Sequence, residues 1–379
     1  MKRMAVVTSA HPWGDPRVFG RELAACLEWG LEVHLFAVPP RDGWRPVPGL
    51  RLHPLPDPGS RLARIRGALG LWRAVLREGP FPLVHFHDPE LLPAMALVGI
   101  LAPGTFLLYD IHEDLPLQFR SKAYLPPWAR QPLERLAEWA LGLAARLFDG
   151  FAPATEAIAR PWPRASTRVV HNYPRAVFHV PPRTPDPLRV LYMGGLSRGR
   201  GIPLALEAVR IARHRVPGLR LELAGWILEP EVGRLVKEAA REGWCRHLET
   251  LEAGALAAHA AGAGIGLVTL LPQPNYLESL PTKLFEYMAL GIPVLASDFP
   301  LWRELVGESG AGRVVRPEAG PLAQALVAMA LDPAALQEHA RRGRAAYLDR
   351  YRWEVEAANL RWHLERAGAL ERTFPKDDP

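Results

Sequence analysis

Short apolar runs rich in β-branched residues alternate with longer segments of helical period, and the pattern occurs twice along the chain. The first set of predicted strands is Met4–Thr8, Val33–Val38, Leu83–His87, Phe106–Tyr109 and Arg168–Val170. Helical periodicity between them predicts helices over Pro16–Trp29, Arg61–Arg77, Pro89–Ile100 and Pro132–Leu147. A proline-rich stretch, HVPPRTPDP at His179–Pro187, reads as an extended linker. The pattern then restarts, with strands at Leu188–Met193, Arg220–Ala224, Gly264–Leu270, Ile292–Ser297 and Arg313–Val315. Its helices fall at Pro203–Arg215, Glu231–Arg241, Thr282–Leu290, Pro321–Leu331 and Pro333–Tyr351, and a last one at Trp353–Glu371 has no strand after it. Such alternation predicts βαβ units and parallel, doubly wound sheets. The expected architecture is therefore α/β, with two Rossmann-like domains facing across a cleft. The first would span 1–183 and the second 184–352, with 353–379 a helix packing back on the first. A chain of 379 residues, 49% hydrophobic and 23% charged, can bury two such cores.

The densest constellation is ESLPTKLFEYMALGIP, Glu278 to Pro293, between two predicted strands. Pro281 suits a first helical position, and Gly291 followed by Pro293 suits a helix stop. Leu284, Phe285 and Met288 would face the sheet. The free N–H groups of that helix start would favour an anion such as a diphosphate. Lys283 in the first turn has the wrong sign for the helix dipole, which makes sense if a phosphate sits between them. Glu286, just over one turn in, could accept from two vicinal ribose hydroxyls. Glu278, eight residues earlier, could hold sugar hydroxyls or fix the loop.

A second loop fits the same ligand. The strand Leu188–Met193 runs into GGLSRGRG, Gly194 to Gly201, and then into a helix. A glycine-rich strand-to-helix turn lets backbone approach a phosphate closely. Arg198 and Arg200 add guanidinium groups that can clamp phosphate oxygens. Both elements belong to the second half, which is therefore the expected nucleotide domain.

YMGGLSRGRGI and ESLPTKLFEYMALGIPVLASDFP resemble the two donor-site motifs of the GT-B glycosyltransferases of family 4. HPWGDPRV near the start, HFHDPE at His85–Glu90, YDIHED at Tyr109–Asp114 and VVHNYP at Val169–Pro174 agree with it. The likeness runs along nearly the whole chain and is closest to bacterial enzymes of surface-polysaccharide assembly. It implies a retaining hexosyltransferase with a nucleotide-sugar donor, expected to be a UDP-sugar, and a glycan or lipid-linked acceptor. It implies no metal and no cofactor. By resemblance Glu286 binds the donor ribose, while Glu278 with Ser279, Leu280, Pro281 and Thr282 contacts the donor sugar and phosphates. Arg200 stands where the family usually has a diphosphate Lys. The family's Arg five residues earlier is here Gly195, so Lys283 or Arg198 would take its place. His112 falls where the family places a His near the transferred sugar, and Gly14 would let backbone approach phosphates or acceptor. Asp88, Glu90, Glu113 and Asp114 are the candidates for acceptor hydroxyls.

Charge bears on the partner. The net charge of +6 lies wholly in residues 1–183, with 22 basic against 16 acidic side chains. Only five of the 46 basic residues are Lys, which with 39 prolines fits GC-biased, thermophilic usage. Ser60–Gly79 places Leu62, Ile65, Leu69, Trp72 and Leu76 at helical spacing among five arginines. This stripe is expected to pack on the sheet, and a cationic amphipathic helix can also lie on an anionic membrane. No stretch reaches the ~20 apolar residues of a bilayer span. The start lacks a signal-peptide cleavage pattern, so the expected location is cytoplasmic, peripheral at the inner face of the plasma membrane. Two cysteines, Cys26 and Cys245, make neither a disulfide framework nor a zinc site. SAHPWGDP lacks the GxGxxG of a dinucleotide-binding dehydrogenase, and no basic–aromatic module supports nucleic-acid binding. A sugar-nucleotide epimerase of the same fold is the nearer alternative.

Overall fold

The computed structural model describes residues 2–11, 13–40, 45–121, 125–175, 181, 183–249 and 251–373. The chain forms two compact units: Met1–Asn172 together with Glu356–Pro379, and Tyr173–Val355.

The first unit carries a six-stranded sheet of β1 (Arg3–Val7), β2 (Glu32–Ala37), β3 (Leu50–Pro54), β4 (Leu83–Phe86), β5 (Phe106–Ile111) and β6 (Gly150–Pro153). All pairings are parallel and the order is β3-β2-β1-β4-β5-β6. A π-helical segment, Val18–Leu23, runs into α1 (Ala24–Glu28). Then come α2 (Arg61–Glu78), α3 (Leu92–Leu101), α4 (Leu115–Ser121), α5 (Pro127–Leu147) and the short α6 (Glu156–Ala159). Ser60 caps α2 by accepting from the Ala63 N–H at 3.2 Å. Arg168–Val170, expected as a strand, makes only two backbone bonds to the β6 edge, Arg168 N–H to Phe151 O and Val170 N–H to Pro153 O.

The second unit repeats the topology. Its strands are β7 (Asp186–Met193), β8 (Arg220–Ala224), β9 (Cys245–Leu248), β10 (Ala263–Val268), β11 (Val294–Ser297) and β12 (Gly312–Val315). The order β12-β11-β10-β7-β8-β9 is the same winding as in the first unit, again all parallel. The helices are α7 (Ile202–Ala212), α8 (Pro230–Arg241), α9 (Ala253–Ala260), α10 (Pro274–Leu277), α11 (Thr282–Leu290), α12 (Pro300–Ser309), α13 (Ala319–Ala330) and α14 (Pro333–Arg350). α15 (Trp353–Arg366) leads the chain back into the first unit. Apolar side chains fill both faces of this sheet, which is why its central strands read as unbroken hydrophobic runs. In both units the strand order reverses beside the first strand, between β1 and β4 and between β7 and β10. Open α/β sheets bind ligands at the carboxyl ends of strands at such points.

The division between units lies before the proline-rich stretch. The Tyr173 ring packs on Phe285 and Tyr351, with centroids 4.7 and 5.5 Å away. Pro174 O accepts from Tyr347 Oη and Trp353 N, both at 3.1 Å. Of the expected linker, 179, 180 and 182 lie outside the described residues, and Asp186 and Pro187 already belong to β7. From Glu356 the chain joins the first unit, where Glu356 Oε1 accepts from the His171 N–H at 2.9 Å.

One expectation for α2 is corrected. Its buried face is Ala68, Leu71 and Val75, and Trp72 and Leu76 pack partly on the core. Leu62 (58% exposed), Ile65 and Leu69 face outward instead of meeting the sheet. α3 packs between α2 and α5, so the three helices form one layer. The outward side of that layer also shows Ile100, Leu101, Leu136 and Leu143, with Trp128 79% and Trp139 67% exposed.

Candidate functional site

In the second unit the glycine-rich turn after β7 and the loop after β10 meet. Gly194 has φ +111 and Gly201 φ +76, both in the left-handed region that only glycine adopts cheaply. A side chain at Gly201 would also strike Thr269 O, 1.8 Å from its ideal Cβ. The two loops therefore touch through backbone, and that close approach brings two cations together. The ideal Cβ of Gly194 would lie 3.5 Å from Lys283 Nζ and 3.7 Å from Arg200 Nη1, and that of Gly195 2.9 Å from Arg200 Nη1. Gly195, where the resemblance expects an Arg, leaves the room that Arg200 occupies. Arg198 does not enter: its backbone N–H bonds Glu229 and its side chain is exposed.

Lys283 is the odd group of this cradle. Its stem is half-buried, yet Nζ is covered and has no hydrogen-bond partner, lying 3.7 Å from the centroid of the Tyr192 ring. Burial, and then repulsion from Arg200, hold its ammonium well below the ordinary lysine value, with Glu286 opposing. A buried ammonium with no partner is costly unless something anionic joins it. α11 starts beside it, with Pro281 as the cap residue one position before the first helical residue, Thr282. No side chain caps its N–H groups, and Gly291 ends the helix at φ +65. Leu284, Phe285 and Met288 are buried as their spacing predicts. Trp302 Nε1 donates to Ser279 O at 2.7 Å and Ser279 Oγ to Tyr276 O at 2.9 Å, which pins the loop leading into α11. Glu286 stands half-buried one turn in, and Glu278 is exposed just after α10. The structure thus brings together Gly194, Gly195, Arg200, Lys283 and the α11 start, with Glu286 on the helix behind.

The first unit places a different chemistry at the matching position. A pocket of about 830 Å³ opens at the carboxyl ends of β1, β4 and β5, and His11, His87 and His112 all line it. His11 and His112 lie 4.6 Å apart, ring to ring. Behind them Asp110, fully buried, accepts from His112 Nε2 at 2.5 Å, His87 Nδ1 at 2.9 Å, Arg17 Nε at 3.0 Å and Arg17 Nη2 at 2.5 Å. Burial alone would raise this carboxyl, but Arg17 and the two histidines hold it well below the usual range. Arg17 is itself buried and also meets Glu22 at 3.0 Å. Glu22 is pushed well above the usual carboxylate value, first by burial and then by Asp110.

The expected acceptor residues separate. Asp88 is buried, and its oxygens take Ser9 N at 2.6 Å, Thr8 Oγ1 at 2.8 Å and Ala10 N at 3.1 Å, with His11 Nδ1 at 3.1 Å. It anchors the loop after β1 through Oδ2, while Oδ1 meets His11, and it lines the pocket. Asp114 is exposed and accepts from the Leu117 N–H at 2.8 Å, so it caps α4 rather than lining the pocket. Glu90 and Glu113 do line it, Glu90 paired with Arg64 at 2.7 Å. Gly14 sits in the loop before the π-helical segment, at φ +89 with no atom within 4 Å of its ideal Cβ.

Sequence reasoning missed His11, Arg17, Glu22, His85, His87 and Asp110 as site residues. His85 and His87 carried a signal, since residues i and i+2 share one face of a strand. Among the described residues Glu22, His85, His87 and Asp110 come close enough to suggest a metal site. The Arg17 guanidinium already lies on both carboxylates and His87 Nδ1 hydrogen-bonds Asp110, while the Glu22 oxygens, His85 Nε2 and His87 Nε2 make no hydrogen bond.

Comparison with known proteins agrees with both halves. Residues 177–348 match the family described as "Glycosyl transferases group 1", and residues 16–173 the "Glycosyl transferase 4-like domain". The chain is a glycosyltransferase built from these two domains, with a two-domain α/β fold of the GT-B kind. It is 24% identical over 327 residues to a phosphatidyl-myo-inositol mannosyltransferase of Mycolicibacterium smegmatis, covering 83% of this chain and 79% of that one. Among solved structures it is similar to sucrose-phosphate synthase from Thermosynechococcus elongatus, with TM-score 0.74, 19% identity, and 97% and 100% of the two chains covered. HepE of Anabaena, solved with UDP and glucose, gives TM-score 0.69 at 16% identity over 97% and 100% of the chains.

Proposed function

We propose that the protein is a retaining, metal-independent hexosyltransferase. It moves a sugar from a nucleotide diphosphate, a UDP-sugar, to a glycan or lipid-linked acceptor in cell-surface polysaccharide or glycolipid synthesis. The observation that carries this reading is the convergence of Arg200 and the unpartnered Lys283 Nζ on the glycine turn Gly194–Gly195. That arrangement suits a diphosphate, which would supply the charge Lys283 lacks and meet the uncapped N–H groups of α11. The solved HepE complex supports UDP as the nucleotide, and the mannosyltransferase relative supports a lipid-linked acceptor.

In this mechanism Glu286 accepts from the ribose hydroxyls, and Glu278 with Ser279–Thr282 meets the sugar and phosphates. Arg200, Lys283 and the helix start stabilise charge growing on the leaving diphosphate, and one such donor is worth ~3–4 kcal/mol of barrier. The leaving phosphate oxygen takes the acceptor's proton, so retention needs no protein base. His112 hydrogen-bonds the transferred sugar, and Glu90 and Glu113 hold the acceptor. Replacing Glu286 with Ala removes two charge-assisted hydrogen bonds of ~1.5–3 kcal/mol each. Calorimetry should therefore show UDP binding weakened at least 100-fold, and unchanged affinity would overturn the ribose assignment.

The reading includes a cytoplasmic enzyme docked on an anionic bilayer. What supports docking is the α2–α3–α5 layer, which exposes Trp128 and Trp139 on α5 and Leu62 and Leu69 with Arg61, Arg66 and Arg73 on α2. Tryptophans with arginine heads suit a lipid interface. No single helix among the described residues is long and apolar enough to cross a membrane. Vesicles containing phosphatidylglycerol should co-sediment the protein and pure phosphatidylcholine vesicles should not. Trp139→Glu should abolish the difference, and equal binding to both vesicles would overturn it.

A further inference from the structure

We propose that Asp110 is a positioning residue for His112: its carboxylate fixes which ring nitrogen of His112 faces the pocket. This rests on the reading above that His112 acts at the transferred sugar. His112 Nε2 lies 2.5 Å from Asp110 Oδ2, and its side chain is 20% exposed at the pocket wall. An ionised carboxylate only accepts, so Nε2 carries the proton and Nδ1 is the nitrogen left for a sugar hydroxyl. Asp110 cannot turn away to relax this bond. Its Oδ2 also receives Arg17 Nε and His87 Nδ1, and its Oδ1 receives Arg17 Nη2, so both oxygens are held in place.

Arg17 is fixed in turn, since Nη1 donates to Val170 O at 2.7 Å and Nε meets Glu22. The charged and titratable groups around Asp110 include Arg17 and Glu22 from the segment after β1, His87 from the end of β4, Tyr109 and His112 from its own strand and its end, and His363 from α15. His85 stands 3.6 Å from Glu22, and His11 touches the His112 ring. This assembly ties three strand ends to one imidazole. It gives a physical reason to bury so much charge beside a pocket.

The substitution Asp110→Asn tests it. An amide that turns its oxygen to Arg17 presents N–H to His112, which drives the proton to Nδ1 and makes the imidazole the wrong tautomer. With a UDP-sugar and its acceptor, kcat should fall about 100-fold, the low end for loss of a positioned proton-transfer or hydrogen-bonding group, while donor KM stays within about twofold. His112→Gln should give a similar fall. The double variant Asp110→Asn with His112→Gln should be no slower than His112→Gln alone, because residues acting as one unit are not additive. Multiplicative losses, or full kcat in Asp110→Asn, overturn the proposal. Wild-type kcat in His112→Gln overturns the reading of His112 itself and takes the proposal with it. If Asp110→Asn alone does not fold, Arg17→Gln with Asp110→Asn removes both charges, and that pair, with and without His112→Gln, replaces the Asp110→Asn arm of the cycle against the wild type.

Discussion

The two units share one winding and put opposite electrostatics at the same topological place. Where β1 and β4 part, buried Arg17 lies against the opposite charges of Asp110 and Glu22, and His87 bonds Asp110, although the Glu22 oxygens and His87 Nε2 make no hydrogen bond. Where β7 and β10 part, Arg200 and Lys283 share one sign and Lys283 Nζ has no partner. The fold fixes where a site can be, and the residues decide whether its charges are balanced within the protein or share one sign. A balanced site positions groups, whereas a one-signed one stores a free-energy deficit that a ligand of opposite charge relieves.

The sharpest test of that contrast is removal of one charge from each place, which should move stability in opposite directions. Arg17→Met leaves Asp110 and Glu22 buried without their cation. Breaking a buried pair this way costs ~3–5 kcal/mol, visible as a lower denaturant midpoint. Lys283→Met removes a buried amine whose Nζ makes no hydrogen bond, so against the smaller support of the Tyr192 ring and Glu286 the ligand-free protein should gain stability by ~1–3 kcal/mol, the penalty of an unsatisfied buried polar group. The same variant should bind UDP about 10- to 100-fold more weakly, the worth of one charge-assisted hydrogen bond. If both variants destabilise the free protein alike, the contrast between the two places is broken.

Lys283 also sharpens the comparison through protons. Its folded value lies below its unfolded one, so the unfolded chain binds more protons over that window and stability rises with pH there. An arriving diphosphate restores the ammonium, so UDP binding in the window should take up a proton. Calorimetry in buffers of different ionisation enthalpy reads this directly, and Lys283→Met should abolish it.

How much of this was legible in the sequence follows the same division. α11 spans Thr282–Leu290 as its spacing predicts, because a helix between two buried strands is specified locally by its apolar face and its stop at Gly291. The three strands missed, β3, β6 and β9, are all sheet edges. LRLHP and CRHL carry polar residues where one side meets solvent, and GFAP, though buried, is four residues with Gly and Pro at its ends, so no apolar run marks them. The cation cradle was legible because its parts lie in two compact motifs. The Asp110 assembly was not, since Arg17 and Asp110 are 93 residues apart and only the winding of the sheet joins them. The α2 stripe misled for a related reason: helical spacing shows that a face is apolar, and Ala68 in place of a larger residue marks the side that packs.

The smallest effect expected comes from a charge-paired histidine outside both the cation cradle and the first-unit pocket. His171 Nε2 meets Glu156 at 3.0 Å and its Nδ1 meets Glu356 at 3.1 Å, joining α6 to the returning α15 within the first unit. Burial alone would lower this imidazole, yet its bonds to Glu156 and Glu356 push it up to about 9. A value raised above the unfolded one means the folded state holds the extra proton. The stability from this group is therefore fully present below about pH 6.5 and is lost as pH rises through about 9. The thermal midpoint of the wild type relative to His171→Gln should fall across that window, while the Lys283 proton uptake is the same in both. A His171→Gln profile that keeps the wild-type slope would place the pH dependence elsewhere. If the variant removed the proton uptake as well, the independence of the two units would be lost.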